Sequence, residues 1–319
     1  MARIKPHMLM IGIAVLFVSP WNFSQASRGD LCDKTPLKKE TTFARDLLAA
    51  TEIGTAYSYG TGYKEAAIYG KDDRVEVDRR AYPFRTVGRL LTEWEILDDN
   101  GNVVDVTQFS CTATLVSDCH LLSARHCVVD QKDSSSKGAP RKRLRAVQFI
   151  DALGRGHSIA TTKTGATTKP SDDYAFLKLS SSPGKELGFV PFARRSSEAF
   201  PVGTKFIAAG FNSDLKNGDF LTADMGAEKV APSTDPKILA LKADTFTGAS
   251  GGPIFAMSEK NVPYIAGVHS MAIMKRDPAT GQIVQSIKSD DEKQKLSVSV
   301  ASESFAPGLK KFIQGSSCR

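Results

Sequence analysis

The sequence of 319 residues predicts an all-β sandwich or barrel laid out as two similar halves, with a short helix at its end. Three observations carry this reading. From about Asp73 onward, short alternating or apolar runs recur between turn signals. A Pro/Gly break near 183–203 divides those runs into two comparable sets. The helix–strand alternation that marks a parallel α/β sheet is missing.

In the first half the strand candidates are "RTVGRLL" (85–91), "SCTATLV" (110–116), "HLLSA" (120–124), "RAVQFID" (145–151), "HSIATTK" (157–163) and "YAFLKLS" (174–180). After "SSPGKELG" they resume as "KFIAAGF" (205–211), "KILALKA" (237–243), "GPIFAMS" (252–258), "YIAGVHSMAI" (264–273) and "LSVSV" (296–300). The runs are short, alternating or apolar, and numerous, which indicates strands of a sandwich or barrel. The last stretch, "SESFAPGLKKFIQG", reads as the one short helix. No internal repeat has a sharp period.

The N-terminus reads differently. Arg3 and Lys5 precede an apolar run from Met8 to Val18, and Ser24-Gln25-Ala26 supplies small residues. This is the pattern of a secretory signal peptide over 1–26, too short in its apolar part to span a bilayer comfortably. Residues 27–67 are polar and mixed, with a short amphipathic helix expected over 41–52, and read as an N-terminal arm. Domain limits follow: a first unit over 68–188 and a second over 189–319. No later stretch is apolar enough to span, so a secreted protein without a membrane span is expected, in the periplasm or outside the cell.

The formal charge of +7 falls to +5 once Arg3 and Lys5 leave with the leader, a mild excess. The densest basic run, "RKRLR" (141–145), follows a Ser/Gly/Pro loop and reads as a solvated loop face rather than a nucleic-acid site. Five cysteines are present, an odd number, and none forms a Cys-x-x-Cys or a Cys/His cluster of zinc spacing. No metal is expected.

"TGASGGP" (247–253) is the stretch that raises function. It fits a simple turn. It also fits a nucleophilic serine, Ser250, flanked by glycines that allow close approach of a substrate. Such a serine needs a base and a group to orient it. Of five histidines, His126 in "LLSARHCVVD" sits where an apolar strand meets a cysteine. Cys111 lies 16 residues before Cys127, and a disulfide between them would pin the loop carrying His126. In "KPSDDYAFLKL", Asp172 and Asp173 directly precede an apolar strand, where a buried carboxylate could fix an imidazole tautomer.

The order His126, Asp173, Ser250 in "LLSARHC", "DDYAFLKL" and "TGASGGP" resembles the signature blocks of the trypsin-like, chymotrypsin-fold serine proteases. Upstream, "IYGKDDRVEVDRRAYPFRTVGRL" (68–90) is similar to the start of the secreted V8-like glutamyl endopeptidases. The resemblance covers roughly residues 67–315. It implies two six-stranded antiparallel β-barrels, with His126 and Asp173 on the first and Ser250 on the second. It implies that 27–67 is a propeptide, that the substrates are proteins or peptides, and that no cofactor is needed. The N–H groups of Gly248 and Ser250 are expected to form the oxyanion hole.

Ala249 stands where activated relatives of trypsin carry the aspartate that pairs with a freed N-terminal amine, so that mode of activation is not expected. The specificity pocket carries conflicting signs. Asp244 resembles the pocket-floor aspartate that selects Lys or Arg, whereas Thr245 and His269, with Ser270 beside it, match positions that hold an acidic side chain in the glutamyl endopeptidases. The sequence leaves that choice open. It leaves open as well the partner of Cys119, for which Cys318 is within reach, and the oligomeric state. A trypsin-fold binding module without activity is the competing reading; it is disfavoured because all three triad candidates are present.

Overall fold

The computed structural model describes residues 68–69, 71–130, 141–230, 233, 235–272, 275–276, 283–284 and 296–318. The leader, the arm with its expected helix, and Cys32 lie outside the described residues. Strand β1 (Arg74–Glu76) is followed by β2 (Val87–Leu97), β3 (Val103–Leu115), β4 (His120–Ser123), β5 (Arg141–Ile150), β6 (Gly156–Thr164) and β7 (Ala175–Leu179). A single helical turn, α1 (Gly184–Leu187), leads to β8 (Lys205–Gly210), β9 (Thr222–Lys229), β10 (Ile238–Lys242), β11 (Pro253–Met257) and β12 (Pro263–Ala272). The small pair β13 (Lys275–Arg276) and β14 (Ile283–Val284) precedes β15 (Ser297–Ala301) and helix α2 (Ser302–Gly315).

Two closed antiparallel barrels of six strands result. The first runs β2-β3-β4-β7-β6-β5. The second runs β9-β10-β15-β12-β11-β8 and closes through the β8–β9 pairing. Leu90, Leu115, Leu121, Phe149 and Leu177 fill the first barrel. Phe206, Leu239, Leu241, Ile254 and Ala266 fill the second. A third apolar cluster joins them, with Val87, Leu122 and Phe176 from one side and Phe211, Leu221, Phe255 and Val268 from the other. Burial of this seam holds the two barrel faces together, and the loops carrying the site residues meet beside it.

Three local features depart from the sequence reading. Strand β1, included in the range drawn for the first barrel, pairs with β9 of the second, Arg74 opposite Asp224. The Arg74 guanidinium draws it there, buried between Asp72 and Asp214 at 2.7 and 2.5 Å. The "RKRLR" run lies within β5 rather than on a loop, where Arg143 and Arg145 pair across the sheet with Glu95 and Glu93. Strand β9, "TADMGAEK", does not stand out in the sequence because its buried positions are partly polar. Thr222 meets Asn212, Asp224 accepts the N–H of Gly226, and Lys229 donates to the carbonyls of Ser197 and Phe200.

Helix α2 crosses back to the first barrel. Phe305 and Phe312 pack against Tyr174 and Phe176, and a disulfide from Cys318 to Cys119 fastens the segment that follows the helix. The second disulfide joins Cys111 and Cys127.

Candidate active site

His126 lies in a single 3-10 turn, Arg125–Cys127, that follows the buried strand β4. The neighbouring Cys127 is tied to Cys111 on β3, so the turn cannot swing away from the barrel. Asp173 follows another 3-10 turn, Pro170–Asp172, at the mouth of β7. Its two carboxylate oxygens grip His126 twice: Oδ1 accepts the backbone N–H at 2.9 Å, and Oδ2 lies 2.7 Å from Nδ1. That places the proton on Nδ1 and leaves Nε2 as the basic nitrogen. Burial alone would raise Asp173, which is 3 % exposed. The bonds and charge of His126, with the hydroxyl of Ser270, hold it below the usual carboxylate range instead.

Ser270 therefore does not sit in the pocket beside His269. It sits at a bulge of β12 between His269 and Met271, and donates to Asp173 Oδ2 at 2.5 Å.

Ser250 ends the tight loop before β11. Gly248 (φ +97°) and Gly251 (φ +82°) bracket it in conformations that side chains resist. Space resists them too: a Cβ on Gly248 would lie 2.3 Å from the Phe211 carbonyl oxygen, and one on Gly251 would lie 2.2 Å from Ser123 Oγ. The loop is pinned from the other barrel by Thr112, a residue the sequence reading did not single out. Its N–H donates to the Ser250 carbonyl and its hydroxyl to the Gly248 carbonyl, both at 2.8 Å. The only sequence signal for Thr112 was its place beside Cys111. Cys127 Sγ contacts the Ser250 carbonyl at 3.8 Å, so Ser250 lies against the turn that carries His126. Ser250 Oγ and His126 Nε2 are not hydrogen-bonded to each other. Among the described residues, no acceptor meets the N–H of Gly248 or of Ser250, which leaves both free to receive an oxyanion. Ala249, between them, is buried against Gly210.

The pocket candidates separate. Thr245 and His269 are bridged by Ser297 of β15, whose Oγ lies 3.4 Å from Thr245 Oγ1 and 3.2 Å from His269 Nδ1. Burial pushes His269 down to about 4, and the nearby His126 adds to it. Asp244 turns away from them. Its carboxylate accepts the N–H of Tyr69 at 2.8 Å and of Asp73 at 2.9 Å. Burial pushes it up to about 6, only partly offset by those two N–H groups, with the charges of Asp224 and Asp72 adding to the rise.

Two groupings of cysteine and histidine exist among the described residues, Cys111–His126–Cys127 and Cys119–His120–Cys318. Each is built on a disulfide, whose sulfurs are not the thiolates a metal needs.

Twin antiparallel barrels with this loop between them define the chymotrypsin-like class of serine endopeptidase. A family model, Trypsin, matches residues 98–289, more than half of the chain, and the chain belongs to that family. No curated protein matches it. Among solved structures, a Glu endopeptidase in complex with MPD is similar at 16 % identity with a TM-score of 0.50, over 77 % of this chain and 99 % of that one. A thermostable serine protease, AL20, from an extremophilic microorganism is similar at 16 % identity with a TM-score of 0.49, over 73 % and 98 %. Membership of the family implies protein or peptide substrates. Among the described residues no helix is long and apolar enough to cross a membrane.

Proposed function

We propose that the protein is a secreted endopeptidase that cleaves through an acyl-enzyme, with Ser250 as nucleophile, His126 as general base and acid, and Asp173 as its orienting partner. The observation that carries this reading is the double grip of Asp173 on His126, which turns Nε2 outward as the base. Ser250 Oγ attacks the substrate carbonyl and His126 Nε2 takes its proton. The oxyanion forms against the N–H groups of Gly248 and Ser250. His126 then protonates the leaving amine, and water, activated by the same imidazole, releases the acyl group. Two disulfides support an oxidising compartment, and hence export through the leader over 1–26.

The pocket supports selection of an acidic side chain before the scissile bond. Asp244 turns both oxygens toward the backbone N–H groups of Tyr69 and Asp73, which argues for a role other than pairing with a Lys or Arg side chain. Thr245, Ser297 and His269 offer hydroxyl and imidazole groups instead. The similar Glu endopeptidase agrees with this choice.

The test is digestion of a denatured protein by the wild type and by Ser250→Ala, with fragments mapped by mass spectrometry. Cuts after Glu or Asp that vanish in the variant are expected. Cuts after Lys or Arg would overturn the pocket assignment. Absence of any cuts from folded protein beginning after residue 67 would favour a binding module.

A further inference from the structure

We infer that Asp244 is a positioning residue that straps Tyr69 and residues 71–74 beneath the specificity pocket and thereby sets Ser297, and through it Thr245 and His269, in place. The inference rests on the pocket reading given above and names what holds that pocket together.

The strap is tied at several points. Tyr69 N–H and Asp73 N–H converge on the two oxygens of Asp244. Arg74, 5 % exposed, is forked between Asp72 and Asp214. Strand β1 continues the attachment by pairing with β9, where Asp224 in turn accepts the N–H of Asp244 at 2.8 Å. At the other end, the buried Tyr69 hydroxyl meets the backbone of Ser297, and Lys242 Nζ lies 6.0 Å from the Tyr69 ring. Ser297 is the residue whose hydroxyl touches both Thr245 and His269. One carboxylate thus connects the segment before the first barrel to the pocket wall of the second.

A carboxylate satisfied by two N–H groups is poor bait for a substrate cation, and its removal leaves both donors without their acceptor. The experiment joins two readouts, one independent of activity. Amide hydrogen exchange at Tyr69 and Asp73 is compared in the wild type, Asp244→Ala and Asp244→Asn. Protection is expected to fall roughly tenfold or more in the alanine variant and to be restored in part by asparagine, which keeps one acceptor oxygen. Unchanged protection in Asp244→Ala would overturn the strap, whether or not the protein cleaves anything.

The link to the pocket is read from KM and kcat on a peptide with Glu before the cut. Asp244→Ala and the milder Tyr69→Phe are both expected to raise KM several-fold with kcat little changed. Loss of cleavage after Lys or Arg, with cleavage after Glu untouched, would return Asp244 to the role of cation selector. An unchanged KM in both variants would break the link between strap and pocket. A wild type without activity would sink the endopeptidase reading and leave the exchange result standing.

Discussion

Thr112, on the first barrel, holds the carbonyl oxygen of Gly248, on the second, at 2.8 Å through its hydroxyl. The same hydroxyl accepts the N–H of Phe211 at 3.0 Å. A single fully buried threonine therefore ties the nucleophile loop to the neighbouring barrel and to the strand end behind it.

Thr112→Val keeps shape and removes both bonds. Two buried backbone groups then lose their partner, at a cost of about 1–3 kcal/mol in stability. The Gly248 peptide also loses its fixed direction, so kcat should fall about 10- to 100-fold with KM nearly unchanged. Thr112→Ser should recover most of both. Urea unfolding and steady-state kinetics check the pair, and an unaltered kcat in the valine variant would refute the link.

Ser270 acts through Asp173. Ser270→Ala removes a donor to the ionised carboxylate, so Asp173 titrates at higher pH and its charge, no longer shared with a hydroxyl, falls more fully on His126. The acid limb of the kcat/KM profile should move to higher pH, with a loss of roughly tenfold at its plateau. A profile shifted the other way would contradict this.

His269 and Asp244 tilt stability with pH in opposite senses. Burial pushes His269 from 6.5 down to about 4, so between these values the unfolded chain binds a proton that the native state refuses. Its contribution is fully present above about pH 6.5 and lost as pH falls toward 4, on the order of 3 kcal/mol. Asp244 is pushed from 3.8 up to about 6, so over that window the native state holds its proton more tightly and gains stability as pH falls. His269→Gln should therefore protect against acid, and Asp244→Asn should steepen the acid loss. Unfolding free energies between about pH 4 and 7 decide it. A shallower slope in Asp244→Asn would be the wrong sign.

The Cys119–Cys318 bond closes a span of 199 residues and anchors the chain just beyond α2, which covers Tyr174 and Phe176 beside Asp173. Cys318→Ser should cost about 2–5 kcal/mol in unfolding free energy. Activity should fall in parallel with increased exchange in α2. Full stability without the bond would show that the apolar packing of α2 suffices alone.

Much of the architecture is legible in the chain. Runs such as "YAFLKLS" and "KFIAAGF" carry their strands because apolar and β-branched residues between turn signals have one cheap way to be buried. The candidates His126, Asp173 and Ser250 could be picked out because the chemistry proposed for them demands those residue types, and the glycines of "TGASGGP" because Gly248 and Gly251 occupy backbone conformations that favour glycine. Strand β9 was not legible, since its buried Thr222, Asp224 and Lys229 break the apolar pattern and find partners on other segments, Asn212, Asp244 and the carbonyl of Ser197 among them. Nor were the roles of Thr112 and Ser270, whose partners lie 136 and 97 residues away. Asp244 makes the same point most sharply. Its place six residues before Ser250 left a cation selector and an acid-selecting pocket both open; a carboxylate acts according to what it faces, and in the fold it faces the N–H groups of Tyr69 and Asp73. Sequence determines local conformation and residue chemistry; direction and pairing are decided where distant segments meet.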